Sequence, residues 1–137
     1  MVELEKHPRW VTQTTFYDPN SPNKGNCTEA AVASILNIPL EEVPNFRNEG
    51  EDNFWDTFEK FLLSKGFFAF LCPNFHPETL YLASGMSNRG VMHMVVYRDG
   101  DLYWDPHPSR SGIDKVEHTY TLIPLDPGKN RNKRNRR

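Results

Sequence analysis

Two cysteines, Cys27 and Cys72, are all that the 137 residues contain. They allow at most one disulfide, far from the framework that staples a small secreted domain, so free thiols in a reducing compartment are expected. Equally absent is any run of 18 or more apolar residues, and residues 1–8 are charged where a signal peptide would need an apolar stretch. The sequence therefore predicts a soluble cytoplasmic protein with no membrane partner. No C-x-x-C or H-x-x-x-H pair exists, and His7, His76, His93, His107 and His118 are scattered, leaving His93, Asp105 and His107 as the only trio a fold would gather. No metal and no cofactor are expected. The loop Gly85-Met-Ser-Asn-Arg-Gly90 lacks the Lys-Ser/Thr ending of a phosphate-binding loop and reads as a turn entering the next strand.

What is present divides by charge. The 16 basic and 18 acidic residues give a net charge of -2, but six of the basic ones crowd into residues 129–137, where no acid occurs. Residues 1–128 keep ten basic against eighteen acidic side chains, a body near -8 carrying a tail of +6. The length fits one domain able to bury roughly two thirds of its unfolded surface. We read residues 1–128 as that domain and 129–137, which has no apolar residue, as a disordered tail. The tail either adds weak, salt-sensitive nucleic-acid contact or is a solvated end. Aromatic content is 12% within an apolar total of 37%, so large rings rather than many aliphatics are expected to fill the core.

Up to residue 26 the sequence is rich in Pro, Gly and Asn, which excludes a regular element through residues 18–26. A short buried helix is predicted from Cys27 to Leu36, where Ala and Ser let a neighbouring layer approach closely. A further turn follows at residues 39–43 with Pro39 in its first position. Phe54, Trp55, Phe58, Phe61 and Leu62 then recur at one-face helical spacing within 52–65, capped by Asp52 or Asn53 and stopped by Gly66. Five strands are read at 67–71, 80–83, 91–97, 101–105 and 116–123. Helices first and closely spaced strands afterwards predict an α+β fold with a mostly antiparallel sheet.

Three residues in this plan can do chemistry together. Cys27 begins a helix, where the dipole and free N–H groups favour a thiolate and can hold an oxyanion. If residues 98–100 form a three-residue loop, Tyr97 faces Asp101 and His93 lies directly opposite Asp105, with Met94, Val96, Leu102 and Trp104 on the other, apolar face. A two-residue loop at Asp99-Gly100 would put His93 and Asp105 on opposite faces. Each residue also has a plainer reading: a packed thiol for Cys27, a structural hydrogen bond for the His–Asp pair. Cys72, among Phe67, Phe68, Phe70 and Phe75, is expected to be an inert structural thiol.

The order Gln13, Gly25-Asn26-Cys27 heading Ala30-Ala31-Val32-Ala33-Ser34-Ile35-Leu36, then Glu42-Val43-Pro44-Asn45-Phe46, then His93-Met-Val-Val96 and Trp104-Asp-Pro-His-Pro-Ser-Arg-Ser-Gly-Ile113 resembles papain-like cysteine peptidases. The closest likeness is to small C39-like proteins of phages and bacteria, and it spans about residues 10–114. The resemblance implies a papain-like fold, Cys27 as nucleophile, His93 as general base and Asp105 as its orienting carboxylate. It also implies that the Gln13 amide joins the Cys27 N–H in the oxyanion hole. Asn26 and His107 would lie against substrate. Arg110, on a proline-stiffened loop, would bind a substrate anion or else pair with a body carboxylate. The implied function is cleavage of an amide, peptide or isopeptide bond in a protein or peptide substrate. The alternative is a papain-like binding protein that recognises a protein or small anionic ligand without turnover, for example as an inhibitor of a host factor.

Overall fold

After Gly66 the backbone breaks at each turn residue and resumes extended, building β1 (Phe67–Cys72), β2 (Leu80–Met86), β3 (Met92–Arg98), β4 (Asp101–Trp104) and β5 (Lys115–Pro124). In the computed structural model, which describes residues 10–20, 25–47 and 53–126, these form one sheet. Its spatial order is β1-β5-β2-β3-β4 and all pairings are antiparallel. The last strand thus inserts between the first two. The N-terminal residues 1–9, the Asp52 cap and the basic tail lie outside the described residues. Among those described, no helix is long and apolar enough to cross a membrane.

Two helices cover one side of this sheet, and the architecture is α+β. Helix α1 (Cys27–Leu36) is buried from Thr28 onward, and its alanines let it lie close against β3. It ends at Asn37, which takes the left-handed conformation that tolerates Asn. A single 3-10 turn (Leu40–Glu42) follows with Pro39 just before it, one position earlier than the sequence predicts. Helix α2 (Phe54–Ser64) buries Phe54, Phe58 and Leu62, spaced four residues apart. Trp55 leaves that stripe but stacks on Tyr120 of β5 with ring centroids 5.2 Å apart.

The core joins Val32, Ile35 and Leu36 of α1 to the α2 stripe, Phe46, and Leu80, Leu82, Val96 and Leu122 of the sheet. Aliphatics carry more of it than composition predicts. Phe68 and Phe70 alternate to the outer side of β1 and are 51% and 42% exposed. The aromatic setting expected around Cys72 is therefore largely a surface one.

The β3–β4 hairpin differs from expectation in an instructive way. Arg98 pairs with Asp101, so the loop is the two-residue Asp99-Gly100. Both residues have positive φ, 53° and 83°, the signature of a type I′ turn. Alone, that turn would separate His93 and Asp105. The register then shifts: Tyr97 pairs with Leu102 but Val96 with Trp104, so Tyr103 is an unpaired bulge residue. The bulge returns Asp105 to the His93 side, level with Val95, and leaves Trp104 beside Val96 on the helix-facing side. Its cost falls on Leu102, which does not join the core and is 40% exposed.

A second irregularity lies beneath His93. Gly85 pairs with His93, and the β2–β5 register shifts between Ser84 and Gly85. A Cβ on Gly85 would sit 2.0 Å from the Lys115 carbonyl oxygen, a backbone clash that no rotamer relieves. Gly85→Ala is expected to cost ~3 kcal/mol or more, the upper range for a single substitution, read as a lowered Tm in thermal denaturation. Gly90→Ala, with nothing within 4 Å of the added carbon, should lose only the smaller penalty of a positive φ of 81°.

Candidate active site

Each candidate residue is held by a different part of the fold. Cys27 opens α1, and the side chain of Asn26, the residue before it, does not cap the helix. The Asn26 carboxamide instead accepts from Thr14 N and Thr15 N, both at 3.0 Å, and donates to Thr14 Oγ1 at 2.9 Å. It fastens the incoming segment to the helix start and keeps one Nδ2 hydrogen over. Residues 10–15 run onward as a seam. Val11 N donates to Ser34 Oγ of α1, Trp104 Nε1 donates to Val11 O, and Gln13 N donates to Pro106 O, each at 2.9 Å. The seam locks the cysteine helix to the loop after β4.

His93 stands near the start of β3, and Asp105 follows β4. His93 Nε2 donates to Asp105 Oδ1 at 2.6 Å, with the two side chains 3% and 0% exposed. The carboxylate has further donors: His107 N reaches Oδ1 at 2.8 Å and Gly112 N reaches Oδ2 at 2.7 Å. With Nε2 committed to Asp105, Nδ1 is the ring nitrogen left for Cys27, which is near enough to raise the His93 pKa. A thiol, an imidazole and a carboxylate are thus gathered in one place.

The electrostatics follow. Burial, the largest influence on His93, pulls its pKa down, but the hydrogen bonds to Asp105 and Cys27 outweigh it and leave the ring near 9. For Asp105, burial pushes upward and is overcome by its bonds from His93, His107 N and Gly112 N, so its pKa lies below the usual carboxylate value. Both groups are therefore charged at neutral pH.

Gln13 is buried beside these groups. Its Nε2 donates to Thr15 O at 2.9 Å, the carbonyl that also accepts from Asn26 N, while its Oε1 has no partner among the described residues. One amide hydrogen is engaged and the second remains. The His107 ring is 6.0 Å from the His93 ring and edge-on to it. Arg110 has its hydrogen bonds elsewhere than on the body carboxylate its sequence context offers. Its Nη1 donates to the carbonyls of Asp105 at 3.0 Å and His107 at 2.8 Å, its Nη2 donates to Thr12 Oγ1, and the guanidinium lies 4.1 Å over the Trp104 ring. It meets no carboxylate among the described residues and clamps the loop that carries Asp105. No group of three metal-ligating side chains occurs among the described residues.

Several features escaped the sequence reading. A cleft of about 530 Å³ opens at Cys27 and His93, walled by Phe54, Trp55, Phe58 and Tyr120 together with Met92 and Met94. Glu29, two residues beyond the cysteine, is buried and accepts from Phe46 N at 3.0 Å, and burial raises its pKa. A lone acid among alanines was the one available signal. Comparisons with protein-family models, curated proteins and solved structures found no match.

The His93 pKa is higher folded than its ordinary 6.5, so the stability it contributes is full below about pH 6.5 and is lost as pH rises toward 9. Asp105 acts oppositely: its contribution is present above its ordinary 3.8 and is lost as pH falls through its lower folded value. Asp105→Asn would turn an amide N–H toward the His107 or Gly112 N–H. It is expected to cost ~3 kcal/mol at pH 7 and to flatten the pH 6.5–9 slope, measured as Tm against pH.

Proposed function

We propose that the protein is a small papain-like cysteine hydrolase that cleaves an amide, peptide or isopeptide bond in a protein or peptide. One observation supports this reading: half-buried Cys27 and the buried His93–Asp105 pair come together where Cys27 and His93 line a cleft large enough for a ligand. In the reaction, Cys27 Sγ, its proton held on His93, attacks the carbonyl carbon. The resulting oxyanion accepts from the Cys27 backbone N–H and the remaining Gln13 Nε2 hydrogen. The C–N bond breaks, His93 gives its proton to the leaving amine, and a thioester remains on Cys27. Water then attacks, His93 takes its proton, and the acid is released. Asp105 keeps the imidazole oriented throughout.

A second reading, a papain-like binding protein without turnover, draws on Gln13, one of whose amide hydrogens is tied to Thr15 O. The two readings part on chemistry at sulfur. An acyl or epoxide probe is expected to leave a mass adduct on Cys27, and iodoacetamide should alkylate Cys27 at least about tenfold faster than Cys72 at pH 7, with His93→Ala removing that advantage. Equal rates at the two cysteines, unchanged in His93→Ala, would defeat the hydrolase reading and leave the binding one. If turnover is found with a peptide substrate, it should fall above about pH 9, where His93 loses the proton the leaving amine needs.

A further inference from the structure

Outside the cleft, whose lining mixes aromatic rings with Arg47, Glu59, Glu117 and His118, a polar shoulder adjoins His107, the ring next to His93. On that shoulder Arg89 Nη1 donates to Ser109 Oγ at 3.2 Å and Ser111 Oγ at 3.3 Å, and the two hydroxyls lie 2.9 Å apart. Ser111 Oγ donates onward to Asn88 Oδ1. Ser109 Oγ is also 2.9 Å from His107 Nδ1, which accepts the Ser109 N–H at 3.0 Å. That bond places the proton of a neutral His107 on Nε2.

Two features are unusual for a merely structural arginine. A guanidinium has five donors, yet only Nη1 is used here, and both partners are neutral hydroxyls. In a body with almost twice as many acids as bases, Arg89 also meets no carboxylate among the described residues. Its charge nonetheless acts locally. After burial, Arg89 is the next largest reason that the His107 pKa lies below its ordinary value. Nε and Nη2 of Arg89 and Nε2 of His107 are donors without a partner among the described residues, on a platform braced by Ser109, Ser111 and Asn88.

We propose that Arg89, with His107 beside it, forms a subsite for a carboxylate carried by the substrate. The proposal rests on Cys27 being the nucleophile. Arg89 shares Ser109 Oγ with His107, whose ring is 6.0 Å from His93. That chain of contacts puts the guanidinium within a few extended residues of the reacting carbon, at about 3.3–3.6 Å per residue. The terminal carboxylate of a peptide, or an acidic residue at that distance, presents the planar partner an arginine fork prefers. Arg89 is a specificity residue in this scheme, and Arg110 serves as the clamp behind the loop.

Three alkylating probes separate the possibilities: iodoacetyl-diglycine with a free terminal carboxylate, iodoacetyl-glycyl-aspartic acid amide with its carboxylate on the aspartyl group, and iodoacetyl-diglycine amide with none. At low salt, at least one acid is expected to modify Cys27 about fivefold faster than the neutral amide, despite the acidic body. Arg89→Gln should abolish that advantage and leave the neutral probe's rate unchanged. Arg89→Lys, which keeps the charge without the fork, should retain part of it. In the unaltered protein, about 1 M salt should also erase the advantage, since screening then acts over about 3 Å. Acids no faster than the amide, or an advantage that survives Arg89→Gln, would overturn the subsite. If the neutral probe itself fails to favour Cys27 over Cys72, the nucleophile assignment fails and the subsite falls with it, a pattern distinct from the other two.

Discussion

Burying the Asp105 carboxylate is the constraint around which the rest of the molecule is arranged. A carboxylate only 1% exposed costs several kcal/mol in lost hydration, and only nearby donors of good geometry offset it. Those donors come from three places: the His93 ring on β3, the His107 N–H, and the Gly112 N–H seven residues on. Each must stay where it is or the charge is stranded. The loop between Asp105 and Gly112 is bent around its own first residue. Arg110, itself at a positive φ of 55°, braces the outside by collecting the carbonyls that point away from the carboxylate.

From that fixed point the other parts acquire their positions. The carboxylate orients His93, His93 reaches Cys27, and Cys27 is placed by a helix that the residue 10–15 seam ties back to the same loop through Pro106 and Trp104. The circuit is closed: helix, seam, loop, strand, helix. Around it lie a cleft that mixes aromatic and methionine walls with Arg47, Glu59, Glu117 and His118, and an arginine-serine platform beside His107.

Much of this was legible in residue types, and less in their geometry. The cysteine helix could be read because alanines at close-packing positions leave few alternatives, and the α+β order because short turn-bounded strands cannot host helical crossovers. The pairing of His93 with Asp105 was anticipated through a hairpin with the wrong loop length. Asp-Gly chemistry favours the tighter turn, and the compensating bulge at Tyr103 depends on strand twist and on what lies across the sheet, which a local pattern does not encode. Asn26 and Arg110 are residue types that often meet ligands. Here the backbone took them first, because Thr14, Thr15 and the loop carbonyls needed partners. Arg89 gave no signal, since nothing in its sequence neighbourhood announces that Ser109 and Ser111 will fold beneath it.

The β3–β4 hairpin works as a parity check. Its two-residue turn shifts the alternation of side chains by one, and Tyr103 shifts it back, so only the sum of the two leaves the imidazole and the carboxylate on one side. Closing the bulge with Tyr103 kept in the ladder would set Tyr103 opposite Val96 and send Asp105 toward the helices, whereas deleting Tyr103 would leave Trp104 opposite Val96 and preserve the pair. Proteins with the same site can therefore differ here by one bulge residue, and aligning them without a gap through the hairpin would misplace the carboxylate that the site is built around.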